Sequence, residues 1–256
     1  MWPLTIEGAE VFGLLLVRSL SFFTAGPVFS TRGIPVRLKV LLGAAIAVAL
    51  FPSVPRGPAP ASDLLGFTLA VAGETFIGIV LAFGASLPFV AIRMAGGLLG
   101  VQMGFGIVNV MDPREGGSRV PILSKLYGLL AVLLFLLMNG HHLLLRALSL
   151  SLKTIPVGGV GFHPGLAEHL LGMAGSAFVM ALAIGGPLIA VLFLTDAAMG
   201  FIARTVPQMN VFIVGFPVKI GLGLLGVAVT LPYFFRSIER LLPRIERDLV
   251  TLLNGM

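Results

Sequence analysis

No cysteine occurs among the 256 residues. That excludes disulfides, cysteine-ligated zinc, iron–sulfur clusters and a thiol nucleophile. Charge is also scarce, at 11% of the chain, where soluble domains carry about 25%. The sequence has no HExxH zinc motif and no GxSxG nucleophile elbow, so neither metalloprotease nor hydrolase chemistry has a foothold. No run of basic residues is present to track a nucleic acid backbone. The N-terminus carries Glu7 and Glu10 at the start of its first apolar run, where a cleavable signal would carry positive charge. No internal repeat is visible.

What the chain does contain is apolar surface and glycine. It is 57% hydrophobic, with a mean hydropathy of +1.05, which predicts an all-α membrane protein. Its 33 glycines are nearly twice the usual share of about 7%, predicting close helix packing or broken helices. Apolar runs extend over 8–30, 40–54, 64–92, 94–111, 126–145, 166–203 and 206–235. A kink is expected near Pro88, and interruptions at Gly185-Gly186-Pro187 and at Pro207, Pro217 and Pro232. The run 126–145, with no charge, is the cleanest single span. Counting 94–111 gives seven crossings. Glu7 and Glu10 outside, and Arg32, Arg37, Lys39 and the basic tail inside, fit an odd number. The tail, 236–253, places Ile238, Leu241, Leu242, Ile245, Leu249, Leu252 and Leu253 on one helical face. Arg236, Arg240, Arg244 and Arg247 lie mostly opposite. It reads as an amphipathic helix for a membrane surface or a partner. The whole chain is expected to form a single membrane domain, with an apolar core over 8–235.

Few polar groups invite chemistry. His141 and His142 are adjacent, diverge by about 100° on a helix and are poorly placed to share a metal; a cap at a helix end accounts for them. His163 and His169 flank a Gly/Pro-rich loop. No cofactor and no metal site is predicted. Glu74 and Asp196 are acids inside apolar runs, and Arg18 is the available counter-charge. Buried acids of this kind either pair for packing or serve a proton relay, and a relay needs more ionisable groups than these runs supply. A secondary transporter using Glu74 or Asp196 at a midplane site is the rival reading, and it calls for two related halves with paired broken helices.

The most informative stretch is Gly100 to Pro121, GVQMGFGIVNVMDPREGGSRVP. Gly100, Gly104 and Gly106 loosen it, Asp112-Pro113 stops any helix, and Gly116-Gly117 keeps the rest pliable. Met103, Phe105, Ile107, Val108, Val110 and Met111 give it a soft apolar lining. Irregular backbone at membrane depth needs protein or a water-filled cavity around it. The stretch is therefore expected to sit in a conduit and to close it, although ordinary core filling by Met and Gly is the plainer alternative.

Several motifs resemble one family. Gln102-Met103-Gly104, Asp112-Pro113 and Val120-Pro121 are similar to the middle of FliR proteins of the flagellar type III export gate. So are the run Phe135 to His142 containing Asn139-Gly140-His141-His142, then Ser149 and Ile155-Pro156-Val157-Gly158. The run Pro207 to Pro217 with Lys219, and Arg18, Pro27, Pro35 and Arg37, fit the same pattern. The 210–219 and NGHH segments favour the flagellar branch over the injectisome homologue SctT. The resemblance implies a non-catalytic subunit in the bacterial inner membrane, at the flagellar basal body. FliP-like and FliQ-like subunits would share a channel for unfolded flagellar proteins, with an FlhB-like subunit on the cytoplasmic side. It also implies a plug loop at about 104–121. Gly104, Gly106, Gly116 and Gly117 would be hinges, and Phe105, Ile107, Val108, Val110 and Met111 the seal. Family members often carry aromatics where this chain has Ile107 and Val110, so the implied seal rests on aliphatic and Met packing around Phe105.

Overall fold

The computed structural model describes residues 6–29, 34–55, 63–105, 121–159 and 165–255. These residues are predominantly helical and contain no strand. In order they form α1 (Ile6–Ala25), α2 (Val36–Leu50) with a 3₁₀ turn at Phe51–Ser53, α3 (Leu64–Gln102), α4 (Ile122–Leu137), α5 (Gly140–Thr154), α6 (Leu166–Thr205) and α7 (Val211–Asn254). Five helices are long and apolar enough to cross a membrane, and six if the broken pair α4/α5 counts as one span.

Several elements depart from the sequence reading. The runs 64–92 and 94–111 are not separate, because α3 passes through Pro88 and ends at Gln102. The reverse holds for 126–145. Asn139 adopts φ 57, a left-handed conformation that short polar side chains tolerate. It stops α4 much as a C-terminal glycine would, and α5 begins at the next residue. Helix α6 runs unbroken past Gly185-Gly186-Pro187. Pro217 and Pro232 lie inside α7, which also absorbs the tail. Seven expected crossings thus become five or six. Interior prolines survive in apolar helices because neighbouring helices re-satisfy the freed carbonyls. At about 1.5 Å per residue, the 40 residues of α6 and 44 of α7 extend about 60 and 66 Å, about twice a typical hydrocarbon thickness of ~30 Å.

The chain divides into two compact units. The first comprises Met1–Leu87, Asn139–Ala174 and Leu242–Met256, the second Pro88–Met138 and Gly175–Leu241. Each boundary falls at or near a residue that weakens helix: Pro88, Asn139, Gly175 or Pro243. In the first unit, Leu15, Ala47, Val54 and Leu152 form a buried cluster flanked by Phe12 and Phe51, whose rings meet edge to face at 5.5 Å. In the second, Phe89 meets Phe135 at 5.1 Å and Tyr127 meets Phe234 at 4.9 Å.

The tail follows helical periodicity, as expected. Ile238, Leu241, Ile245, Leu249, Leu252 and Leu253 are all buried, while Arg236, Arg240, Arg244 and Arg247 are exposed. Its apolar side is covered by the chain itself: in the first unit Leu249 and Leu252 lie against Gly84. Large apolar side chains remain exposed elsewhere, including Leu41 on α2, Leu129 on α4, Phe201 on α6 and Val229 on α7. Faces of that kind suit lipid or other membrane subunits.

Candidate functional site: the stem of the 104–121 loop

The second unit holds both ends of the loop. Helix α3 stops at a Schellman cap: Gly104 N–H donates to Val101 O at 3.0 Å, and Phe105 N–H donates to Gly100 O at 3.0 Å. Gly104 has φ +89, which a residue with a Cβ adopts only under strain. The helix therefore ends well before Asp112-Pro113, the stop expected from sequence. Gly100 and Gly104 do not loosen it: Gly100 is buried within the helix and Gly104 forms its cap.

The cap is clamped by α7. The Phe216 ring lies over Gly104, where a Cβ would come within 2.6 Å of it, and the Met103 thioether lies on Gly223, where a Cβ would come within 2.4 Å. Phe216 and Gly223 are about two turns apart and so face the same way. Met103 is completely buried. It anchors the stem and does not line a conduit. Phe105 is half-buried.

The returning end is fixed on the last turns of α3. Gly100 faces Pro121, whose Cβ would be 2.9 Å from an added Cβ, and Gly96 backs onto the Leu123 carbonyl. The Ser124 hydroxyl donates to the Arg93 carbonyl at 2.8 Å. Gly100 thus serves both stems: its carbonyl holds Phe105 and its bare Cα admits Pro121. The predicted plug residues Gly106, Ile107, Val108, Val110, Met111, Gly116 and Gly117 lie outside the described residues, as does His163.

The intramembrane charges separate into two pairs. In the first unit Arg18 and Glu74 are completely buried and ion-paired through Nε and Oε2. Arg18 Nη2 donates to Glu74 Oε1 at 2.9 Å, and Nη1 donates to the carbonyls of Ser151 at 3.1 Å and Ile155 at 3.0 Å. Glu74 Oε1 also accepts the Gly158 N–H at 2.9 Å. Both charges are satisfied by fixed protein groups, the condition for tolerating an ion in an apolar interior. In the second unit Asp196 pairs with Lys219, not with Arg18. This pair is partly exposed and lines a cavity of about 260 Å³ together with Gly215 and Phe216.

Reading the sequence missed five contributors to these sites. Lys219, Gly158 and Phe216 are visible only as part of a resemblance; Ser151 and Gly223 carry no sequence signal of their own, and Phe216 and Gly223 pair only through the helix phase of α7. His141 and His142 fill the first turn of α5 with rings 4.3 Å apart, closer than their divergence on a helix suggested. Among the described residues no group of three or more His, Asp or Glu is placed to hold a metal.

Long apolar helices whose few charges are held in ion pairs, with no strand among the described residues, define a polytopic α-helical membrane protein. Comparison with known proteins gives its family: residues 9–245 match the bacterial export proteins, family 1, and the chain belongs to that family. It is 31% identical to the flagellar biosynthetic protein FliR of Escherichia coli over 241 residues, 94% of this chain and 92% of that protein. It is 32% identical to FliR of Bacillus subtilis over 255 residues, 97% and 98% of the two chains. Identity to the Yop proteins translocation protein T of Yersinia pestis is 27% over 216 residues, 81% of this chain and 80% of that protein.

Proposed function

We propose that this chain is a non-enzymatic subunit of the flagellar type III export gate in the bacterial inner membrane. FliP-like and FliQ-like subunits complete a channel for unfolded flagellar proteins, and an FlhB-like subunit binds at the cytoplasmic side. The 104–121 loop is its plug. Family membership supports the export role, and identities of 31% and 32% to FliR of Escherichia coli and Bacillus subtilis, against 27% to the Yop translocation protein of Yersinia pestis, favour the flagellar branch. One observation carries the plug assignment: both loop ends are fixed to the last turns of α3 by a helix cap and by glycine contacts at Gly96 and Gly100, with the Phe216 ring of α7 over the cap. A loop on such a stem can change state without unpacking the helices beneath it. Apolar side chains on it would keep a narrow pore dry, closing it to ions at rest.

The test is deletion of residues 106–111. The deletion strain should leak ions across its inner membrane and still export flagellar proteins. An unaltered leak would refute the plug. Co-expression with FliP-like and FliQ-like subunits tests the wider assignment, because the chain should then be recovered in a hetero-oligomer. A lone monomer under those conditions would refute it.

A further inference from the structure

A groove in the first unit lies between α5 and the C-terminal turns of α7, with a volume of about 280 Å³. Its floor includes Leu150, Leu249 and Leu253, and its rim carries Arg146, Lys153 and Glu246. All three rim residues are exposed. Neither cation is within ion-pair distance of Glu246, and among the described residues none of the three has an ion-pair partner. Arg146 and Lys153 stand two turns apart on one face of α5, about 10 Å along its axis. A group midway is within reach of both side chains.

The site is therefore an apolar trough, open at the surface, with two cations on one wall and one carboxylate on the other. A soluble anion would gain from the cations but meet Glu246 and leave the floor unused. A peptide helix would need apolar contacts along a longer face than this cavity offers. We propose that the groove binds a membrane phospholipid with a phosphoethanolamine head group. The phosphate sits between Arg146 and Lys153, the ammonium against Glu246, and the start of one acyl chain on the leucine floor. Small-molecule sites are commonly about 300–1,000 Å³, so this volume takes a head group and the first methylenes, with the rest of the lipid in the bilayer. Basic pockets between membrane helices are a recurring seat for lipid phosphates. Glu246 adds selection for a head group that also carries a positive charge.

The test is native mass spectrometry of the full-length chain in detergent, with any subunits that co-purify, after titration with phosphatidylethanolamine or phosphatidylglycerol. The native chain should retain phosphatidylethanolamine preferentially. The double variant R146Q/K153Q should lose about tenfold or more in retention of both lipids, because it removes two charge-assisted contacts. Glu246→Gln should keep lipid binding and shift the preference toward phosphatidylglycerol. All three positions are exposed, so unchanged melting temperatures will show that the variants fold. Lipid retention indifferent to R146Q/K153Q would overturn the site, including the case in which another subunit covers the groove. A preference between the two lipids that Glu246→Gln leaves unmoved would overturn the head-group assignment.

Discussion

The two acids set inside apolar helices, Glu74 and Asp196, differ in how completely each charge is held. Arg18 and Glu74 are closed off from solvent, and every contact they make is to a fixed protein group. Asp196 and Lys219 retain 38% and 21% side-chain exposure beside a cavity, and the Lys219 neighbour one turn back, Phe216, is the ring that covers Gly104. The same residue types thus do different work. A closed pair held by fixed groups ties α1, α3 and the segment after α5 into one framework. A lightly held pair next to the loop stem leaves that region room to rearrange.

The largest effect should come from breaking the closed pair from one side. Glu74→Ala leaves a buried guanidinium uncompensated and the Gly158 N–H without its acceptor, at a cost of about 3–5 kcal/mol. The measurement is the melting temperature of the detergent-solubilised protein, with recovery from membranes as a second reading. Replacing both partners by Met should restore most of the loss, because a packed apolar pair avoids the desolvation cost. If the double variant is as unstable as Glu74→Ala, the network matters for something other than pairing charge.

A smaller loss is expected at the loop stem. Gly104→Ala places a Cβ on a left-handed residue, at about 1–2 kcal/mol, and drives it into the Phe216 ring, adding about 1–3 kcal/mol of overpacking. Phe216→Ala in the same chain should remove the second contribution and leave the first. A double-mutant cycle on melting temperature checks this, and additive losses would mean that Phe216 does not clamp Gly104. Ion leak through the membrane should rise in Gly104→Ala if the stem positions the plug.

Much of this was legible in sequence because periodicity and composition report burial. The apolar runs locate the helices, and Ile238, Leu241, Ile245 and Leu249 of the tail are buried. Punctuation was less readable. Pro187, Pro217 and Pro232 suggest breaks where the helices continue, since a proline's lost hydrogen bond can be compensated by neighbours that a linear reading does not see. Asn139, which does break a helix, lies in a run that is apolar on average, and one left-handed residue leaves no mark on hydropathy. The loop is marked by its glycines, but the ring that covers the cap at Gly104 comes from Phe216, more than a hundred residues away. The pairing of Arg18 was open between two acids for the same reason: only packing chooses between Glu74 and Asp196.

The smallest effect on stability should come from the open pair. Partly exposed ion pairs contribute about 0.2–1 kcal/mol, so Asp196→Asn and Lys219→Gln should each lower the melting temperature only slightly. The double variant should lose little more than either single one. Their consequence should appear in gating instead, because Lys219 lies one turn from Phe216 on α7 and changes there reach the ring that holds Gly104. Ion leak is the sensitive readout, and the exchange D196K/K219D, which keeps an opposite-charge pair, should bring it back toward the native level. A stability loss approaching that of Glu74→Ala would show that exposure misjudges this pair and that both sites belong to the rigid framework. A leak unchanged in all three variants would separate the pair from the loop and leave the Phe216–Gly104 and Met103–Gly223 contacts as the links between α7 and the loop stem.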